Sequence, residues 1–444
     1  MTFFGSLLFF FIASFFLTLG SDEAHLLFLR QAYGALLLGG FFLVFRGELT
    51  PLFLKSLAIR FFLFFLIFQL VRLGAVFFSR NPALSLAYLN SPVVWFFYFG
   101  FFVLGFLYFR VRKRVERLLW SLSWCGFLLA LNALPALLTI GRPEYLGPDG
   151  FRGFFYPAFY SFSFFSKYLL GRFANLNYTG DVVALGFFPA TGLFLYSLHR
   201  LRERKIALTS LGLPATFAGA TALAVILFFS RGTILSFSIA FMIYILATLL
   251  KFPSRHQLIF SSVILGLVSI FLIWAGNLPG VWKELGTLRR ETHPEDLTSS
   301  FATNREGAHR ALAIYRDYPL WGVGTDGYAI VSKKYTSSIP RPAPLLLADI
   351  RAMCHYLQLL AEEGMGAYLY FFFLLAYFFE GIRGLRRTKS RFQFTAGLSL
   401  FAAVVMVLIH ASINLLMEQF SISMLIYIFM GASLGVLRND FERD

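Results

Sequence analysis

Long apolar runs recur almost from end to end of this chain, and they constrain its fold more than any other feature. The 444 residues are 58% hydrophobic and include 58 Phe. A membrane-spanning helix needs about 20 apolar residues, and about twelve segments qualify on that criterion. They lie near residues 3–20, 27–46, 58–79, 92–109, 118–140, 180–198, 212–230, 232–251, 257–276, 364–383, 393–416 and 419–437. The sequence therefore predicts an all-α polytopic membrane protein.

The basic residues predict how these helices are oriented. The formal net charge is +16. If the N-terminus is cytoplasmic, clusters such as those in 110–117, 200–205 and 383–391 fall on the cytoplasmic side, and the short outer connections hold far fewer. This asymmetry is the positive-inside pattern, and it predicts that both termini are cytoplasmic. Residues 1–20 have no basic leader and no small-residue cleavage site, so we expect a retained first span there.

Two connections on the predicted outer side are also basic. One covers residues 141–179 and includes Arg172, and the other covers 277–355, with ten Lys and Arg. Charges that topology does not require favour an anionic ligand such as a lipid phosphate. The predicted organisation is helices 1–9 over residues 1–276, a large helical outer loop over 277–355, and helices 10–12 with a short tail over 356–444.

The large loop is predicted to contain two helices. The first follows the candidate N-cap residues within 299–304 and covers about 304–317, where Tyr318-Pro319 ends it. One face of it carries Arg305, His309, Leu312 and Arg316, and an apolar stripe carries Ala308, Ala311 and Tyr315. The second is predicted to begin near Leu346–Asp349 and to run into the tenth span. Its titratable face carries Arg351, His355, Gln358 and Glu362.

Several of these residues have both a functional and a purely structural interpretation. Arg231, within Ser230-Arg231-Gly232, is costly near the membrane unless it is paired or hydrated, but it also fits a snorkelling arginine at the interface. His355 suits proton transfer, yet a lone histidine on a helix also suits packing. Arg30 and Arg72, inside apolar segments, either line the same cavity or pair with a carboxylate.

Other motifs are excluded or absent. Gly322-Val-Gly324-Thr-Asp-Gly327 fits GxGxxG formally, but it follows a helix and not a strand, so we expect a turn. There is no acidic DxD pair, no P-loop and no GxSxG elbow, and the two cysteines suggest neither a disulfide framework nor a metal site. Arginines would therefore have to stabilise any phosphate leaving group. We expect no metal, no cofactor and no nucleic-acid partner.

Four stretches, in order, resemble the O-antigen ligase and polymerase family. Gly171-Arg-Phe-Ala-Asn-Leu-Asn177 is similar to a G-x-F-x-N-P-N segment with Leu176 in place of proline, and residues 230–232 match an S-R-G turn. Residues 304–324 resemble an R…P-L-x-G-x-G stretch, and residues 355–366 resemble an H-N-x-Y-L-Q…E-x-G-x-x-G ending. Alignment on Tyr356-Leu-Gln358 puts the family's histidine at Met353, two residues before His355.

The resemblance implies a glycosyltransferase of the bacterial inner membrane with a GT-C-like fold. It would take a glycan from an undecaprenyl-diphosphate carrier at the periplasmic face, without metal and with inversion. Arg231, Arg305 and Arg172 would bind the donor diphosphate. His355, steered by Glu362, would deprotonate or position the acceptor hydroxyl. Sugar or acceptor contacts would come from Arg316, Trp321, Tyr328 and Gln358.

Three functions remain open at this point. An O-antigen ligase would join the glycan to lipid A–core, and a polymerase would use the same donor to extend repeat units. A transporter or flippase for lipid-linked glycans belongs to a different class, in which inverted repeats and interrupted helices are typical. Neither feature is obvious in this chain.

Overall fold

The computed structural model describes residues 2–18, 24–44, 57–78, 90–131, 176–203, 207–227, 231–252, 300–324, 327–335, 352, 354–414 and 420–438. Within these ranges the chain is helical and contains no strand. The helices that matter below are α1 to α14 in chain order. They are Thr2–Thr18, Ala24–Val44, Leu57–Phe78, Asn90–Tyr108, Arg112–Leu131, Leu176–Arg202, Gly212–Leu227, Arg231–Lys251, Ser300–Asp317, Tyr328–Val331, His355–Glu363, Gly366–Arg387, Arg391–Ala411 and Phe420–Arg438.

The all-helical class predicted from the apolar runs is confirmed for the described ranges. Four of their helices are long and apolar enough to cross a membrane: Gly180–Arg202, Gly232–Lys251, Gly366–Arg387 and Arg391–Ala411. Shorter apolar helices include Ala32–Val44, Phe97–Tyr108 and Ile422–Arg438. The predicted segment 257–276 lies outside the described residues, and so does most of 141–179. The total of about twelve spans and the periplasmic side of the large loop therefore stay predictions.

Small residues let the helices of the bundle approach closely, as is typical where lipid offers no hydrophobic drive for helix association. Between α4 and α14, a Cβ on Gly105 would overlap the carbonyl oxygen of Ile428, and one on Gly431 would overlap that of Phe102. Aromatic pairs fill the space beside these contacts, with Tyr98 stacked on Tyr427 at 5.5 Å between ring centroids. The long helix α13 is buried along nearly its whole length at the centre of the bundle.

Basic residues cluster at one end of the bundle. At one end Lys251 donates a hydrogen bond to the carbonyl of Arg386 at 2.7 Å, and Arg391 pairs with Glu203 at 3.0 Å. Arg438 pairs with Glu380 at this end as well. These basic residues are the ones whose clustering predicts a cytoplasmic face. The other end, where α13 finishes and α11 leads into α12, contains the predicted site.

Candidate active site at the loop end of the bundle

The short helix α11 presents His355 at its first position. Cys354 is extended, with φ −142° and ψ 113°, so the helix begins at His355. It ends at Glu363 because Gly364 has φ +56°, and α12 then starts at Gly366. The prediction of one helix running into the tenth span is therefore wrong, since the left-handed Gly364 interrupts it. The predicted start at 346–349 lies outside the described residues.

A glycine turn is fastened to the end of α11 by main-chain hydrogen bonds. The amide of Val323 donates to the carbonyl of Ala361 and that of Gly324 to Glu362, both at 3.0 Å, while Met365 donates to Pro319 at 2.8 Å. Gly322 has φ +64°, and a Cβ there would overlap the Glu362 carbonyl. The turn predicted for the GxGxxG-like sequence is thus confirmed for residues 318–324.

His355 is buried, with 5% of its surface exposed. Its ring lies 6.0 Å from that of Tyr370, edge to face. Among the described residues, none is a hydrogen-bond partner of its Nε2 atom. Burial, and next the positive charge of Arg72, lower the pKa of His355 to about 3. The imidazole is therefore neutral at physiological pH, with an open nitrogen lone pair.

Arg72 forms a buried ion pair beside this histidine. Its Nε lies 2.8 Å from Oε1 of Glu363, and the two side chains are 2% and 0% exposed. The alternatives left open for Arg72 by its position in an apolar segment are thus resolved in favour of a carboxylate partner. The pair fastens α3 to the end of α11. For Arg30, the structure describes the backbone in α2 but not the side chain.

Glu362, the predicted partner of His355, lies two helical turns further on. Its Oε1 accepts a hydrogen bond from Nε2 of Gln358 at 3.2 Å, and the side chain is buried. Seven residues of α-helix correspond to about 10 Å of rise, so any action of Glu362 on His355 passes through intervening groups. The predicted roles of Glu362 and Gln358 stay predictions.

The helix α9, predicted over 304–317, covers Ser300–Asp317 and ends where the sequence indicates. Its packed face differs from the predicted apolar stripe. Arg310 and Glu306 form a buried ion pair on it at 2.9 Å, beside buried Ile314. His309 and Arg316, on the predicted cationic face, are exposed. Ala311 of the predicted apolar stripe is buried as well, so the packed face borders that stripe and also carries a charged pair, which pattern alone cannot reveal.

Two aromatic residues with predicted sugar contacts are packed against protein in this structure. Tyr328 is buried, its hydroxyl donates to the carbonyl of Gly307 at 2.9 Å, and burial raises its pKa. Trp321, in the glycine turn, is half-buried, and its ring lies 3.0 Å from where a Cβ of Gly74 would be. It therefore packs the loop against α3. Sugar contacts by Trp321 and Tyr328 stay predictions.

The three predicted donor-binding arginines are described to different extents. Arg231 is the first residue of α8 and Arg305 lies in the second turn of α9, both with their backbone described and their side chains not. Arg172 lies outside the described residues, as do Arg351 and Met353.

A chain of contacts connects the start of α8 with His355. Tyr356, the neighbour of His355, donates its hydroxyl to the carbonyl of Leu408 in α13 at 2.7 Å. Two residues along α13, the Nε2 of His410 lies against Gly232, next to Arg231. Arg231 and His355 therefore lie at the same end of the bundle, on either side of the end of α13.

Asp181 and His410 form a further pair at this end, which the sequence did not predict. His410 Nδ1 lies 2.7 Å from Oδ2 of Asp181, and neither residue is more than 1% exposed. Both residues stand inside predicted spans, and an ionisable side chain there indicates function by default. That signal was available in the sequence; their partnership, across 229 positions, was not.

The described part of the chain contains no cluster of metal-ligating side chains. No group of three or more His, Cys, Asp or Glu there could hold an ion, and Cys125 and Cys354 are free thiols. Metal independence itself stays a prediction.

Comparison with known proteins bears on the same segment. No curated protein matches the chain. Residues 216–372 match the family model described as O-antigen ligase. This range includes the start of α8, the helix α9, the glycine turn and α11, and so three of the four resembling stretches. The chain carries an O-antigen ligase domain at residues 216–372, and this match supports the predicted resemblance to the O-antigen ligase and polymerase family.

Proposed function

We propose that this protein is an O-antigen ligase that transfers a glycan from an undecaprenyl-diphosphate carrier to lipid A–core. The reaction takes place at the periplasmic face of the bacterial inner membrane, with both termini of the protein in the cytoplasm. One observation carries the proposal: within the family-matched segment, the helix starting at Arg231 and the helix starting at His355 lie at one end of the bundle. A cationic donor site and an acceptor site are therefore neighbours.

The donor site uses arginines in place of a metal. Arg231 begins α8, where the unpaired amides and the helix dipole favour an anion. Arg305, in the second turn of α9, and Arg172 complete the cationic surroundings of the diphosphate. Guanidinium groups match phosphate oxygens with two parallel hydrogen bonds, and they stabilise the negative charge that develops on the leaving group.

The acceptor site centres on His355. With its pKa lowered to about 3, the imidazole is neutral at pH 7, and its Nε2 can accept a hydrogen bond from the acceptor hydroxyl. A conjugate acid this strong makes His355 a weak base, so its main action is to orient the hydroxyl. Glu362, Gln358, Arg316, Trp321 and Tyr328 would supply the outer contacts to acceptor and sugar.

The chemical step is a direct displacement. The acceptor oxygen forms a bond to the anomeric carbon while the bond from that carbon to the phosphate oxygen breaks. The configuration at the carbon inverts, and undecaprenyl diphosphate leaves with both electrons of the broken bond. The acceptor hydroxyl, oriented by its hydrogen bond to His355, loses its proton to solvent as the bond to carbon forms.

The alternative within the same family is a polymerase, which uses the same donor and a growing glycan as acceptor. The family match favours neither acceptor. The transporter alternative would need no acceptor hydroxyl and no neutral histidine beside a cationic site.

The test is glycan transfer in liposomes containing purified protein, a lipid-linked donor and lipid A–core. Arg231→Ala and His355→Ala are each expected to reduce transfer at least about 100-fold, which corresponds to a loss of about 3 kcal/mol of transition-state stabilisation. Matched controls are His309→Ala, an exposed histidine on α9, and Arg391→Ala, an exposed arginine at the opposite end. Both controls should retain wild-type rates.

Three other outcomes are informative. Longer donor-linked chains with no glycan on lipid A–core would make the protein a polymerase. Transfer that survives both site substitutions would refute the proposed site. Movement of the lipid-linked glycan between leaflets without transfer to any acceptor would refute the enzyme and favour the transporter.

A further inference from the structure

Among the described residues at the loop end of the bundle, Asp181 and His410 form the most fully buried contact between a carboxylate and a basic side chain. Asp181 stands near the start of α6 and His410 near the end of α13. The Nδ1 atom of His410 lies 2.7 and 2.8 Å from the two carboxylate oxygens. The hydrogen bond between Nδ1 and the carboxylate therefore fixes the orientation of the ring, and Nε2 points away from Asp181.

The side of the His410 ring that points away from Asp181 contacts the first turn of α8. The Nε2 atom of His410 occupies the space that a Cβ on Gly232 would need. The Thr233 side chain hydrogen-bonds the Asp181 carboxylate, and it also lies 3.2 Å from where a Cβ of Gly180 would be. Two successive residues of α8 are thus held by the two members of the pair, immediately after Arg231.

The contact explains why the residue after Arg231 is glycine. A side chain at 232 would displace the imidazole, and with it the hydrogen bond to Asp181. A buried carboxylate costs several kcal/mol unless its partners are in place. Joining three helices through a buried carboxylate and histidine therefore costs more free energy of desolvation than joining them through an apolar contact. The location of the pair, one residue from the arginine of the S-R-G turn, supplies a reason for that cost.

We propose that Asp181 and His410 are positioning residues that hold the first turn of α8 where Arg231 meets the donor diphosphate. The inference rests on the proposed function of Arg231 as a donor ligand. The pair does not contact substrate. It fixes the direction in which the helix start and its arginine face the donor.

The first test is steric complementation between Gly232 and His410. Gly232→Ala is expected to raise the donor KM at least about tenfold, the factor associated with one lost charge-assisted hydrogen bond. His410→Asn shortens the side chain, clears the space above residue 232 and keeps an N–H donor for Asp181. The double variant should therefore have a lower donor KM than Gly232→Ala alone. If the donor KM of the double variant is higher than that of either single variant, His410 does not limit the position of the first turn of α8.

The second test separates positioning from stability. His410→Asn and Thr233→Val should each raise the donor KM about tenfold while kcat changes less than about threefold. In protein that already carries Arg231→Lys, the same substitutions should raise the donor KM less than about twofold further, because the side chain being positioned is no longer arginine. Equal effects in both backgrounds would overturn the proposal. Thr233→Val, being isosteric, keeps the test valid if the His410 variant does not fold.

A control variant breaks a different bond between the same two helices. Tyr244 of α8 and Ser399 of α13 are hydrogen-bonded at 3.3 Å, three turns from Gly232. Tyr244→Phe should lower the melting temperature without changing the donor KM. A raised KM here too would mean that any loosening of α8 against α13 has the effect. A wild-type KM in Arg231→Lys and Arg231→Ala would instead refute the donor role of Arg231, and so the proposed function itself.

Discussion

Removing the charge of Glu363 should destabilise the protein far more than removing that of an exposed carboxylate. At 2.8 Å, two unit charges attract by about 6 kcal/mol for an effective dielectric constant of about 20. Desolvation of both groups offsets part of this, and breaking a buried pair from one side costs about 3–5 kcal/mol because the partner charge stays buried. We therefore expect Glu363→Gln to lower the free energy of unfolding by about 3–5 kcal/mol.

The measurement is denaturant unfolding of detergent-solubilised protein, followed by tryptophan fluorescence. Glu203→Gln is the matched control, since its pair with Arg391 has side chains 40% and 44% exposed and should contribute only about 0–1 kcal/mol. Replacing Arg72 and Glu363 together by Met should recover most of the loss, because no buried charge is left. A loss below about 1 kcal/mol in Glu363→Gln would refute the reasoning.

Three further predictions use other features of the site. The folded-state pKa of His355, about 3, lies below the unfolded value of about 6.5, so its contribution to stability is complete above that pH. As pH falls from about 6.5 towards 3, the free energy of unfolding of wild type should fall by up to about 1.4 kcal/mol per pH unit more than that of His355→Asn. Unfolding at several pH values measures this difference. Gly364 has a positive φ, and a Cβ there would lie 2.6 Å from the Pro319 carbonyl oxygen, so Gly364→Ala should lose at least about 2 kcal/mol of stability. Gly39→Ala, with open space around it, should lose none. Equal melting temperatures of the two variants would contradict the strain at Gly364. Tyr356→Phe, which removes the bond to the α13 main chain, should cost about 1 kcal/mol and lower kcat more than Phe substitution at exposed Tyr368 does.

The sequence predicts most helices well because their signal is local. Apolar runs of about 20 residues specify a helix wherever the surroundings are lipid or protein, and α4, α8 and α13 begin and end within a few residues of their predicted bounds. The end of α9 follows from Tyr318-Pro319, since a helix seldom continues through the residue before proline. These features need no knowledge of partners.

The site is harder to predict because its geometry depends on contacts between distant segments. Adjacent Glu362 and Glu363 look equivalent in the sequence, and it is Glu363 that pairs with Arg72, 291 positions away. The buried face of α9 carries Arg310 because Glu306 neutralises it one turn away. A pattern that treats charged residues as exposed leaves Glu306 and Arg310 out of the packed face.

Release of undecaprenyl diphosphate by the purified wild-type protein is the most direct test of the proposed transfer reaction. The assay contains lipid-linked donor, lipid A–core and a chelator of divalent metals. One undecaprenyl diphosphate should be released per glycan transferred, and the new linkage should be inverted at the anomeric carbon. Transfer that retains the configuration, or that stops when metal is removed, would contradict the proposed reaction.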